Sequence, residues 1–110
     1  MSKYRNVKVN YNGMRFDSMK EYTRWRELEL MQRAGEISEL KRQVPYELIP
    51  AQYDHRTGKL LERPVKYIAD FVYLDEGFRV VEDTKGVRTK EYIMKRKMML
   101  YFHGIRIKEI

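Results

Sequence analysis

Apolar and polar residues alternate at the start of the chain, where Lys8 and Asn10 separate Val7, Val9 and Tyr11. A period of two predicts a half-buried strand. Asn12-Gly13 is the pair that a tight turn with two positive-φ positions needs, and Met14-Arg15-Phe16 returns as the second strand of a hairpin. Asp17-Ser18 stops the alternation. Ser18 and Glu21 have capping-box spacing, so a helix is predicted over residues 19–34, with Gly35 as its left-handed cap. Trp25, Leu28, Leu30 and Met31 supply its apolar contacts between Arg24, Arg26 and Glu29.

Residues 44–49 read as a strand in which Pro45, lacking a donor, suggests an edge or a strand start. Residues 51–63 are polar and carry Asp54-His55-Arg56-Thr57-Gly58-Lys59, a turn flanked by charges, read as a loop or hairpin tip. Two further strands are predicted over residues 66–74 and 78–85, joined by Asp75-Glu76-Gly77, and Gly86 breaks the second. A helix over residues 89–102 ends at Gly104, and Ile105, Ile107 and Ile110 mark a last short strand. The order predicts an α/β (α+β) fold: a mixed β-sheet flanked by helices, with an N-terminal β-hairpin. Strands joined by tight turns should pair antiparallel, and the helix before the last strand permits a parallel crossover.

Composition sharpens this picture. A chain of 110 residues has room for one core, so residues 1–110 are read as one domain, hairpin over 1–17 and core over 18–110. Its 23 Lys+Arg against 16 Asp+Glu leave a net charge of +7, a balance that draws polyanions, nucleic acid first. The absence of cysteine excludes disulfides, thiolate metal sites and thiol catalysis. No apolar run approaches the ~20 residues that cross a bilayer, and Met1-Ser2-Lys3-Tyr4-Arg5 lacks the apolar stretch of a leader. The expectation is a soluble, cytoplasmic protein with no membrane contact and no small-molecule cofactor.

The chemistry concentrates in Tyr67-Ile68-Ala69-Asp70-Phe71-Val72-Tyr73 and Arg79-Val80-Val81-Glu82-Asp83-Thr84-Lys85-Gly86. A carboxylate among Ile, Ala, Phe and Val is poor strand material and needs a reason. If Asp75-Glu76 form a two-residue loop, Val72 opposes Arg79 and Asp70 opposes Val81. Asp70 and Asp83 then share a face as diagonal neighbours, roughly 7–8 Å apart at Cα. Two carboxylates at that reach can share a hard cation such as Mg²⁺. Lys85, two residues on, points to the same face and can orient a water or stabilise charge on phosphorus. A structural salt bridge on a solvated sheet face is the alternative. A three-residue loop would instead turn Glu82 to the Asp70 face.

An apolar strand bearing Asp, a second bearing Asp-x-Lys (Asp83-Thr84-Lys85) and a preceding helix bearing Glu resemble the PD-(D/E)xK nuclease superfamily. The helix–strand–strand–strand–helix–strand order of residues 18–110 is similar to its restriction-endonuclease-like core. Phe16-Asp17-Ser18, Val44-Pro45-Tyr46-Glu47-Leu48, Tyr67-Ile68-Ala69-Asp70-Phe71 and Val81-Glu82-Asp83-Thr84-Lys85-Gly86 resemble, more narrowly, short bacteriophage proteins catalogued as a domain of unknown function. Ala69 stands where the motif is named for proline. The resemblance implies a Mg²⁺- or Mn²⁺-dependent endodeoxyribonuclease in the host cytoplasm. Glu21, Asp70 and Asp83 would hold the metal, with the Thr84 carbonyl as a further ligand, and Lys85 would assist the attacking water. Glu21 is also the capping partner of Ser18, and both readings stay open.

Arg88, Lys90, Lys95 and Lys97 make the second helix basic and are read as nucleic-acid-binding, against a plain solvated face. Tyr46, Tyr53, Tyr67 and Tyr73 read as packing residues, and His55 and His103 are too isolated for a zinc site. Little surface is left for reading base sequence, so branched or recombining DNA is the expected substrate. The resemblance implies, as its sharpest version, a Holliday junction resolvase acting as a homodimer. A non-catalytic nucleic-acid-binding module, or a basic protein meeting an acidic partner, are the other readings. The carboxylates discriminate, since Asp70 and Asp83 on a binding face repel phosphate unless a cation lies between.

Overall fold

The structure, a computed structural model, describes residues 7–110. The stretch read for a leader and the start of the 1–17 segment lie outside them. The N-terminal hairpin pairs β1 (Val9–Tyr11) with β2 (Met14–Phe16). Its turn residues Asn12 and Gly13 sit at φ 49° and 79°, as the Asn-Gly pair required. Helix α1 (Met19–Arg33) starts where the Ser18 hydroxyl accepts from the Glu21 amide at 3.1 Å. Trp25 and Leu28 are buried, whereas Leu30, expected to pack, is 56% exposed because it falls on the helix's outer side.

The central sheet contains β3 (Ser38–Ile49), β6 (Val65–Asp75), β7 (Phe78–Asp83) and β8 (Lys108–Glu109), in the order β3-β6-β7-β8. The β3–β6 and β6–β7 pairs are antiparallel, and α2 (Lys90–His103) crosses over to the parallel β8. Pro45 therefore lies on an edge strand. Thr89 caps the N-terminus of α2, and Gly104, at φ 66°, ends it in the left-handed region. Between β3 and β6 the chain forms a separate ribbon of β4 (Gln52–Tyr53) and β5 (Leu60–Glu62), where a loop or hairpin tip was expected. No described helix is long and apolar enough to cross a membrane.

Three expectations need correction. Strand β3 begins at Ser38, six residues before 44, because backbone pairing with β6 carries the polar stretch. The β6–β7 turn uses Glu76 and Gly77, both at positive φ (52° and 82°), not Asp75-Glu76. Gly77 is the residue that such a turn position favours. The register moves by two, so Val72 opposes Val81 and Phe71 opposes Glu82, and a shift of two preserves faces. Finally, β7 ends at Asp83 rather than Lys85, because the Thr84 amide leaves the ladder to bond a side chain.

Two cores lie on the sheet. Phe16, Trp25, Leu28, Phe71 and Tyr73 pack under α1, with the Trp25 and Phe71 rings stacked at 5.9 Å. Tyr67, Ala69, Val72, Val81, Tyr92 and Met99 pack under α2. Along β6, alternation would place 67, 69, 71 and 73 on one face. They instead divide between the two cores at the level of Asp70. Opposite this level in β3, Gln43 takes the left-handed φ of 54°. Leu40 packs with the α1 core, and Val44 and Tyr46 with the α2 core. The two strands roll over here, which puts Asp70 at the seam between the cores.

Candidate active site

Carrying the β6–β7 register one step past Phe71–Glu82 sets Asp70 opposite Asp83, where the ladder ends. The Thr84 amide and hydroxyl both donate to Asp70 Oδ2 at 2.8 Å, and Gln43 Nε2 approaches Oδ1 at 3.5 Å. Asp83 is 2% exposed. Its Oδ2 accepts from the Tyr67 hydroxyl at 2.6 Å. Its Oδ1, 3.5 Å from Lys85 Nζ, is buried with no hydrogen-bond partner among the described residues. Lys85 also lies 4.6 Å over the Tyr92 ring. Burial raises the Asp83 carboxyl above its ordinary range, with the Asp70 charge adding to this, while Tyr67 and Lys85 pull it back.

Glu82 faces the other way. It is fully buried and bound by Arg24, Nε to Oε1 at 2.9 Å and Nη2 to Oε2 at 2.7 Å, with the Tyr73 hydroxyl donating as well. This clamp ties β7 to α1. It uses one of two adjacent carboxylates for architecture and leaves Asp83 to the pocket.

Glu21 is carried by the first turn of α1 and is 4% exposed. Ser18 caps its amide, so the carboxylate stays free apart from a long 3.4 Å contact with the Asp17 amide and Arg42 Nη2 at 3.6 Å. Capping and an inward carboxylate therefore coexist. Burial first, and the Asp70 charge second, push Glu21 up to about 7. Arg42 is braced by the Arg15 carbonyl at 2.7 Å and the Phe16 ring at 4.2 Å.

Asp70, Asp83 and Lys85 line one open pocket of about 300 Å³ with Lys66, Tyr67 and Lys95. Of the four cations read as nucleic-acid-binding, Lys95 stands on this pocket, paired to Glu91 at 3.1 Å. Lys90 is exposed at the first residue of α2. Arg88 is tied to Glu109 at 2.8 Å, and Lys97 lines a different cavity with Arg96 and Arg106. Gln43, Arg42, Lys66 and the Tyr67 hydroxyl were not singled out from sequence. Only Tyr67, three residues before Asp70, carried a local hint.

The donors here are all hard oxygens, which suits Mg²⁺. Among the described residues no three Asp, Glu, His or Cys side chains form one metal-holding cluster. Mg²⁺ needs fewer, since it keeps several waters and binds through one or two carboxylates plus substrate phosphate. The unpartnered Asp83 Oδ1 beside Asp70 fits that demand.

One family model, described as protein of unknown function (DUF1064), matches residues 1–109. Neither the curated proteins nor the solved structures contain a match.

Proposed function

The chain belongs to the DUF1064 family of proteins of unknown function, and from its own chemistry we propose a metal-dependent DNA endonuclease of the PD-(D/E)xK type. One observation carries this reading: Asp70, Asp83 and Lys85 meet on a single pocket bordered by Lys66 and Lys95. A surface built only to hold a polyanion gains nothing from two carboxylates there, because they repel phosphate.

Asp70 and Asp83 would hold the ion, with Glu21 as the third carboxylate behind Asp70 and the Thr84 carbonyl as a further ligand. Bound Mg²⁺ or Mn²⁺ supplies a Lewis acid and lowers the pKa of its water. Tyr67 fixes Asp83 by one oxygen, Thr84 fixes Asp70, and Lys85 orients the attacking water and offsets charge developing on phosphorus. Lys66 and Lys95 hold the phosphate backbone, and Arg42 balances Glu21. The proposed substrate is branched or recombining DNA, as for a Holliday junction resolvase, cut by a homodimer, as the resemblance to small PD-(D/E)xK nucleases implies. The 3.5 Å Lys85–Asp83 contact also suits a structural ion pair in a non-catalytic DNA-binding module.

Purified protein with Mg²⁺ or Mn²⁺ should cut at least one of labelled duplex, flap, fork and four-way DNA, and Asp70→Asn should abolish the cutting. Tight binding to all four with no cutting under either metal would leave the binding module as the better reading.

A further inference from the structure

The β4–β5 ribbon is the one element that none of this chemistry uses. Every residue from 55 to 64 is exposed, and neither strand contributes a side chain to either core. The radius of gyration, 16.7 Å, exceeds the ~13 Å of a compact chain of about this length. An isolated two-stranded hairpin is marginal in water, yet this tip is tightly built. Asp54 Oδ1 accepts from the Arg56 and Thr57 amides at 2.8 and 2.9 Å, and its backbone closes the turn with Lys59 and Gly58. The construction presents Arg56 and Lys59 outward. Among the described residues neither they nor Arg63 at the arm's base makes an ion pair, unlike Arg24, Arg88 and Lys95.

The arm ends at Glu62, β6 starts at Val65, and Lys66, its second residue, lines the pocket of Asp70 and Asp83. In sequence the cations Lys59, Arg63 and Lys66, with Glu62 among them, run from the arm to the strand that lines the candidate site. B-DNA's major groove, ~12 Å wide, admits a two-stranded β-ribbon.

We propose that the β4–β5 ribbon is a second DNA contact, which enters a groove of the duplex flanking the strand held at the pocket. This rests on the nucleic-acid part of the function proposed above and is independent of cleavage. Fluorescence anisotropy with labelled duplex in EDTA, where nothing is cut, tests it in the full-length chain. The double variant Arg56→Glu/Lys59→Glu should weaken binding at least ~10-fold at 150 mM salt. It should also lower the slope of log K against log salt by about 2, roughly 0.9 per lost phosphate contact. Arg79→Glu, at the far end of β6–β7, is a charge-reversal control away from the arm and should leave the slope within about half a unit. An unchanged slope in the double variant overturns the proposal. So does a variant whose only change is a halved solution mass, which would make the arm a contact between copies. Arm-dependent binding without cleavage would refute the nuclease and keep the arm, and cleavage with arm-independent binding would do the reverse.

Discussion

The Tyr67 hydroxyl holds one carboxylate oxygen of Asp83 at 2.6 Å, while the other faces Lys85 at 3.5 Å with no hydrogen-bond partner among the described residues. The bond selects which oxygen is free. Tyr67→Phe leaves Oδ2 unsatisfied as well, which costs about 1–3 kcal/mol for a buried acceptor. Urea melts should show that loss. Calorimetry with Mn²⁺ should show weaker binding, because the loosened carboxyl takes up a proton more readily. Wild-type Mn²⁺ affinity in Tyr67→Phe would separate Tyr67 from the site.

The carboxylates themselves give the direct metal test. Asp70→Asn and Asp83→Asn should each sharply weaken Mn²⁺ binding, while circular dichroism remains that of the wild type. A variant that binds Mn²⁺ as the wild type does removes its residue from the ligand set.

Glu21 makes stability depend on pH. In the folded chain its proton is held to about 7, against an ordinary value of 4.5. Between those values the folded state binds more protons than the unfolded, so stability falls as pH rises. The contribution is full below 4.5 and gone above 7, and amounts to roughly 3 kcal/mol at ~1.4 kcal/mol per unit. Thermal melts without divalent metal should show a decline across that window that Glu21→Gln flattens. A wild-type profile parallel to that of the variant would contradict it.

Lys85 separates chemistry from binding. Lys85→Ala should still bind duplex or four-way DNA, since one phosphate contact is a small part of the salt-sensitive affinity. Cleavage should fall at least ~100-fold, the lower end of what a positioned proton-transfer or electrostatic group provides. Cutting at the wild-type rate would exclude Lys85 from the chemical step.

The Arg24–Glu82 clamp predicts a purely structural phenotype. Arg24→Ala strands a fully buried carboxylate, at a cost of about 3–5 kcal/mol. The melting temperature should drop steeply, and a drop no larger than that of Arg33→Ala would contradict the clamp.

What the sequence made legible was local. Asn12-Gly13, the Ser18 cap and Gly104 each act within a turn or two, and each appears where its local chemistry put it, whereas Thr89, read as the first helical residue, is the N-cap. The separation of Asp83 from Glu82 rested on a two-residue turn and on the Asp-x-Lys spacing, and it survived because the turn, set one residue too early, is still two residues long. The first half of β3 was not legible, because Glu39, Lys41, Arg42 and Gln43 show no apolar alternation and become strand only through pairing with β6. Nor was the setting of Glu21, whose neighbours Arg42 and Asp70 arrive from β3 and β6. The grouping of the two aspartates with Lys66 and Lys95 depends on tertiary packing in the same way.

The left-handed Gln43 has one more effect. Strand β3 is twelve residues long and forms the outer boundary of the sheet, the kind of boundary on which stray chains polymerise. Pro45 offers no amide there, and the reversals at Glu39 and Gln43 deny an incoming strand a straight run of partners. The distortion that seats Asp70 at the seam therefore also guards the crowded chain against fibrous self-templating.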